Sequence, residues 1–244
     1  MKIVYPEYNL EISLMENQVV VLAIENPKAF SKMLSELWSQ LNDGDGDFIL
    51  SDKDKIEKLS QKSMLIMNPF SINCNEKKII NKLYQELDNL STENLHEKLA
   101  LLNNQAINLI DKAVQSVPYQ LQYELELDFQ GLLKLYNVKI ESNPESLLEK
   151  VVDYLRAMHQ ICGIDIFFFL NVKQYLAKEE LEALYEFAFY EKIYLVEIEG
   201  RFCGKIAGEK WWILDKDLCI IKEDELTAQR NCGKLGDDFK EFEV

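Results

Sequence analysis

The chain has 244 residues, enough for one domain with a large insertion or for two modest ones. Apolar residues make up 48% of it, which excludes intrinsic disorder, and nine glycines and five prolines are too few for a many-turned β-sandwich. Forty-two acids against 27 bases give a net charge of −15, which argues against a protein that simply coats DNA but leaves open where the bases sit.

Met1 to Leu14 holds no long apolar stretch and no run of 18 apolar residues follows, so the chain reads as cytosolic and unanchored, with no membrane partner. Five cysteines (Cys74, Cys162, Cys203, Cys219, Cys232) with no CxxC pair indicate neither a disulfide framework nor a zinc ribbon, and suit a reducing compartment. Val19 to Ile24 (VVVLAI) is too short for a helix and too continuously apolar for a half-exposed strand, so it predicts a strand covered on both faces. Asn26 then caps a helix starting at Pro27, with Phe30, Met33, Leu34, Leu37 and Leu41 on one face. Asp43, Asp45 and Asp47 have the alternate spacing of a calcium loop, but Phe48 stands where that loop needs glycine and Asp54 where it needs glutamate, so a polar connection is the better reading. Met64 to Met67 is a further candidate strand.

The middle of the chain is different. Glu76 to Val117 contains neither Gly nor Pro, and Leu95, Leu99, Leu102, Ala106, Leu109 and Ala113 step by four and three, the spacing of a coiled-coil seam. A helix over residues 92–116 would extend roughly 37 Å at 1.5 Å per residue, so it is expected to protrude. Ile79, Ile80, Leu83, Tyr84, Leu87 and Leu90 predict a helix before it. In Tyr123 to Phe129 (YELELDF), Glu124, Glu126 and Asp128 alternate with apolar residues. An extended chain would align three carboxylates on one face, as in an ordinary half-exposed strand or as donors to a hard cation such as calcium. A third helix is predicted from Asn143 as cap and Pro144 as first residue, through Leu147, Leu148, Val151, Val152, Leu155 and Met158, to Gly163. His159 and Cys162 near its end lack a third orienting group, and a dipole-favoured histidine beside a small buried thiol is the simpler reading.

Two more doubly covered strands follow, Ile164 to Leu170 and Ile193 to Ile198, around a helix from Lys178 to Tyr190. Gly200 to Lys205 (GRFCGK) superficially suggests a phosphate-binding loop. It is one residue short between its glycines, Ile206 replaces the hydroxyl that would hold magnesium, and a strand rather than a helix is expected next, so a hairpin turn is the better reading. The expected organisation is an α/β head from residues 1–75 and 163–221, a helical insertion over 76–162 and an acidic tail over 222–244. Basic residues form local groups at Lys53, Lys55, Lys58 and Lys62, at Lys77, Lys78 and Lys82, and at Lys134, Lys139, Lys150 and Arg156. On one concave surface they would hold phosphates without reading sequence.

This order of elements resembles a known family. The strand ending in VVVLAIENPKAF, the coiled-coil-like insertion, the acidic stretch before LLKLYNVKIES and the segment IFFFLNVKQYLAKEEL are similar to the type II-A CRISPR-associated adaptation proteins, over about residues 1–221. The resemblance implies a head like a nucleoside triphosphatase core without a functional P-loop, a helical leg, and no enzymatic activity. It also implies a homotetrameric ring, stabilised by calcium, that binds double-stranded DNA ends through a basic hole during spacer acquisition in antiviral defence. Other adaptation proteins, an integrase complex and the RNA-guided nuclease, would be its partners. Carried onto this chain, the calcium ligands are Glu124, Glu126 and Asp128. The DNA contacts are assigned to Lys134, Lys139, Lys150, Arg156, Lys77 and Lys78. The alternative from another class is a degenerate nucleotide-binding enzyme or switch.

Overall fold

The computed structural model describes residues 1–53, 55–91, 93–124 and 126–222. In chain order the elements are β1 (Lys2–Tyr5), β2 (Leu10–Ser13), β3 (Val19–Ile24), α1 (Pro27–Leu41), β4 (Ile49–Asp52), β5 (Lys55–Glu57), α2 (Leu59–Lys62) and β6 (Ser63–Ile66). Then come α3 (Lys77–Asn89), α4 (Glu93–Val114), α5 (Phe129–Leu135), α6 (Leu147–Cys162), β7 (Ile166–Leu170), α7 (Lys178–Glu191), β8 (Tyr194–Glu199), β9 (Glu209–Leu214) and β10 (Ile220–Lys222). They form two compact units, Met1–Ile72 with Pro144 onward, and Asn73–Asn143. Among the described residues no helix is long and apolar enough to cross a membrane.

In the first unit, the three doubly covered strands read from the sequence become β3, β7 and β8 of a six-stranded sheet ordered β10-β9-β3-β8-β7-β6, parallel except for β10. A smaller antiparallel sheet, β2-β1-β4-β5, accompanies it. Strand register gives the larger sheet two unlike faces. One face carries Val20, Leu22, Ile24, Val196, Ile198, Trp212 and Leu214, which pack into one core with Met33 and Leu37 of α1 and with Ile3, Tyr5, Ile12 and Leu50 of the small sheet. Each such burial contributes about 1.5–3 kcal/mol, which explains why short strands hold this unit together. The opposite face carries Val21, Ala23 and Trp211 but also the buried acids Glu197, Glu199 and Glu209.

Asn26 caps α1 as expected, accepting from the N–H groups of Lys28 and Ala29 at 3.0 and 3.2 Å, with Pro27 at the first position. Helix α6 departs from expectation at its start: Ser146, not Asn143, is the cap, accepting from Glu149 N–H at 3.1 Å. It also belongs to the first unit, where Val151, Tyr154, Leu155 and Met158 are buried and α6 packs on α7, so the insertion ends at Asn143 rather than at residue 162. Gly163 closes α6 in the left-handed conformation (φ 69°), a backbone shape that glycine adopts without steric cost. The segment Gly200 to Gly208 is not a hairpin. It connects the parallel strands β8 and β9, between which β3 lies.

In the second unit, α3 and α5 pack together, helped by Gln130 Nε2 donating to Asp88 at 3.1 Å. The long helix is present as α4, but none of its described residues is buried, and Leu102 and Leu109 are 42% and 71% exposed. Among the described residues Leu95, Leu102 and Leu109 of the seam are exposed, while Leu99 and Ala106 are half-buried. Of the expected tail only Lys222 is among the described residues, and Cys232 lies outside them.

Candidate nucleic-acid interface

Four of the six basic residues singled out from the sequence, Lys77, Lys78, Lys134 and Lys139, fall in the second unit, all exposed. Two tethers bring their segments together. Asn75 donates through Nδ2 to the carbonyl of Ile140 at 2.9 Å and accepts from the Ile140 N–H at 2.8 Å, which sets Lys139 beside the approach to α3. Tyr84 of α3 donates to the carbonyl of Val138 at 2.6 Å, fixing the turn that follows Lys134. Among the described residues these four lysines, and Lys82 with them, form no ion pair with a carboxylate. Lys77 and Lys78 occupy the first turn of α3, which holds no acidic residue, and the preceding Glu76 makes no side-chain cap bond. The amino end of a helix carries partial positive charge, so two ammonium groups there oppose stability and favour an anion instead.

Lys150 and Arg156 lie on α6 in the first unit and have local work. The Lys150 ammonium donates to the carbonyl of Phe70 at 2.6 Å. Arg156 stands 3.7 Å from both Asp153 and Glu191 and 5.1 Å from the centre of the Phe187 ring.

The alternation of YELELDF survives without a strand. Tyr123, Leu127 and Phe129 are half-buried and Glu124, Glu126 and Asp128 exposed, while residues 120–124 and 126–128 adopt no regular element. Oxygen-only donors suit calcium in kind, but they are not assembled, because the three do not offer ligand atoms within 4.8 Å of one another. Asp128 has a second duty as the cap of α5, accepting from Gly131 N–H, and a Cβ at Gly131 would fall 2.6 Å from that oxygen.

Among the described residues the acids that do converge are Glu7, Glu36 and Asp47, from three segments that no local motif connects. Tyr5 donates to Glu36 at 2.9 Å and to Glu7 at 3.2 Å, and Lys32 pairs with both. The bond from Lys32 holds Glu7 below the usual carboxylate range. Asp43, in the polar loop before β4, is taken by Lys58 at 2.7 Å and Ser60 at 2.8 Å. His159 Nδ1 lies 2.9 Å from the carbonyl of Ile164 and 3.4 Å from Asp165, where it serves the turn after α6. The GRFCGK segment runs into β9 and so offers no helix end to a nucleotide phosphate.

Comparison with known proteins agrees with the resemblance in the sequence. A structure similar in outline, the ADP conformation of an ATP-binding cassette of an ABC transporter, aligns over 88% of this chain and 84% of that one, with 12% identity and a TM-score of 0.43, too loose to bear on function. The CRISPR-associated protein Csn2 of Streptococcus agalactiae is 23% identical over 221 residues, covering 88% of this chain and 96% of the relative. The family model for CRISPR-associated protein Cas_Csn2 matches residues 40–218, well over half of the chain, which therefore belongs to the Csn2 family of CRISPR-associated proteins.

Proposed function

We propose that this CRISPR-associated protein binds the ends of double-stranded DNA during spacer acquisition, as a non-catalytic homotetrameric ring in the cytoplasm. The observation that carries the reading is the group of exposed lysines of the second unit, which meet no carboxylate among the described residues and in part stand against a helix dipole. A chain of charge −15 leaves bases unneutralised in this way where an outside anion is to be held. Lysine contacts to phosphate carry no sequence information, so any duplex should serve. Lys150 and Arg156 keep a place among the proposed contacts, although each already has partners within its unit.

The assembly is supported by α4. Leu95, Leu102 and Leu109, spaced along one seam and exposed among the described residues, are covered most simply by the same seam of another copy, as in a symmetric oligomer. Calcium enters as a stabiliser of that assembly, drawing Glu124 and Glu126 together, and no part of DNA holding passes through it. The adaptation partners, an integrase complex and the RNA-guided nuclease, would meet the loaded ring. The proposal is tested by competing cut against covalently closed plasmid at several salt concentrations. Binding through counterion release should fall steeply with salt, and a ring should need an end to load.

A further inference from the structure

Three carboxylates and one ammonium group are buried together on the acid-bearing face of the large sheet. Glu197, Glu199 and Glu209 are 1%, 0% and 4% exposed. Tyr185 of α7 hydrogen-bonds to Glu197 Oε1 and Glu209 Oε1, both at 2.7 Å. Lys173, in the turn after β7, pairs with Glu209, stands 4.0 Å from Glu197 Oε2 and donates through its backbone N–H to Glu199 at 3.3 Å. The loop between β8 and β9 is tied to the same groups: Gly204 accepts from Lys173 Nζ at 3.3 Å, and Ile206 N–H donates to Glu209 Oε2 at 2.9 Å. The Trp211 indole donates to that oxygen, also at 2.9 Å. The neighbouring strands place the apolar Val19, Val21, Ala23 and Phe169 in register with the acids. Glu197 Oε2 and Glu199 Oε2 are buried without a hydrogen-bond partner.

Three ionised carboxylates against one ammonium would leave surplus negative charge out of water, at a cost of several kcal/mol per ion. A cation or a proton could relieve it. A cation needs several converging oxygens, and among the described residues the acid trio that meets this condition is Glu7, Glu36 and Asp47, in a different place. A proton needs only one bare oxygen. We propose that the cluster of Glu197, Glu199, Glu209, Lys173 and Tyr185 holds at least one proton in the folded protein at neutral pH, and that this proton is a clasp keeping Lys173 and the loop of residues 200–208 against the sheet. On opening, the proton passes from carboxyl to solvent and no bond between heavy atoms changes. The surplus charge then competes for Lys173 and loosens its hold on Gly204.

Burial, reinforced by the charges of Glu209 and Glu199 and opposed by Tyr185 and Lys173, pushes Glu197 up to about 8, and burial also raises Glu199. An unfolded glutamate titrates near pH 4.5, so the proton-linked stability is whole below that value and is lost as the pH climbs through about 8. Above that the group adds no further slope.

Thermal melts of the full chain and of Glu197→Gln between about pH 5.5 and 8.5 test this, one proton corresponding to about a tenfold change in the folding equilibrium per pH unit. The wild type should lose melting temperature across that window while Glu197→Gln gives a flatter curve, and exchange of the Ile206 amide should speed up with pH beyond its intrinsic rate only in the wild type. Parallel curves would overturn the clasp. Should Glu197→Gln not fold, infrared spectroscopy of the wild type at neutral pH decides: a protonated-carboxyl band supports the proposal, and its absence refutes it.

Discussion

Asn75 and Ile140 are joined by a reciprocal pair of hydrogen bonds, 2.9 and 2.8 Å, across 65 residues of sequence. One side chain thus satisfies both backbone groups of a residue outside any strand, and sets Lys139 near the lysine-bearing start of α3. Asn75→Ala should remove both bonds and leave a half-buried N–H and C=O to find water, costing about 2 kcal/mol. Denaturant titration measures it. DNA affinity should fall too, because Lys139 loses its anchor. Unchanged stability would mean that Asn75 is not the tether.

Lys77 and Lys78 oppose the dipole of α3, so replacing both by Gln should raise thermal stability slightly, by a few tenths to about 1 kcal/mol each. The same change should weaken DNA binding and lower the salt slope by nearly one for each phosphate that is no longer neutralised. Stability and binding moving in opposite directions is the signature of residues kept for a ligand. A decrease in both would assign these lysines to the fold.

Much of this architecture is legible in the sequence because it rests on local chemistry. Asn26 with Pro27 starts a helix wherever an apolar period follows, and strands with no polar face must be covered on both sides. The start of α6 is not, because Asn143-Pro144 and Ser146 are competing signals, and the serine wins through a cap bond that Glu149 completes by accepting from Glu145 N–H at 2.7 Å. Nor is the unit to which α6 belongs, because periodicity shows that a face is apolar, not what covers it. Glu197 and Glu199 stand in plain view at the end of an apolar run. Only the distant Tyr185, Lys173 and Glu209 explain how they are accommodated there.

Glu124, Glu126 and Asp128 should separate under mutation. Changing Glu124 and Glu126 to Gln together should cost stability or oligomer mass in calcium and little in chelator, since an ion at a hundredfold excess over its Kd adds about 2.7 kcal/mol. Asp128→Ala should cost about 1 kcal/mol in both conditions through loss of the α5 cap. Equal losses with and without calcium for the Glu124 and Glu126 pair would remove the ion from the proposal.

Leu102 and Leu109 of α4 are exposed in the single chain, so Leu102→Asp with Leu109→Asp should leave the helical signal of the chain nearly unchanged and lower its mass in solution. Light scattering reads the result directly. An unaltered oligomer would place the contact between copies elsewhere.

The most direct measurement is a gel-shift titration of one plasmid before and after a single cut, with calcium present and salt held constant. Retention of the linear form with escape of the covalently closed circle is the expected result, since a closed ring must load over an end. Equal retention of both forms would contradict the threaded ring and leave only general electrostatic attraction between the lysines and DNA.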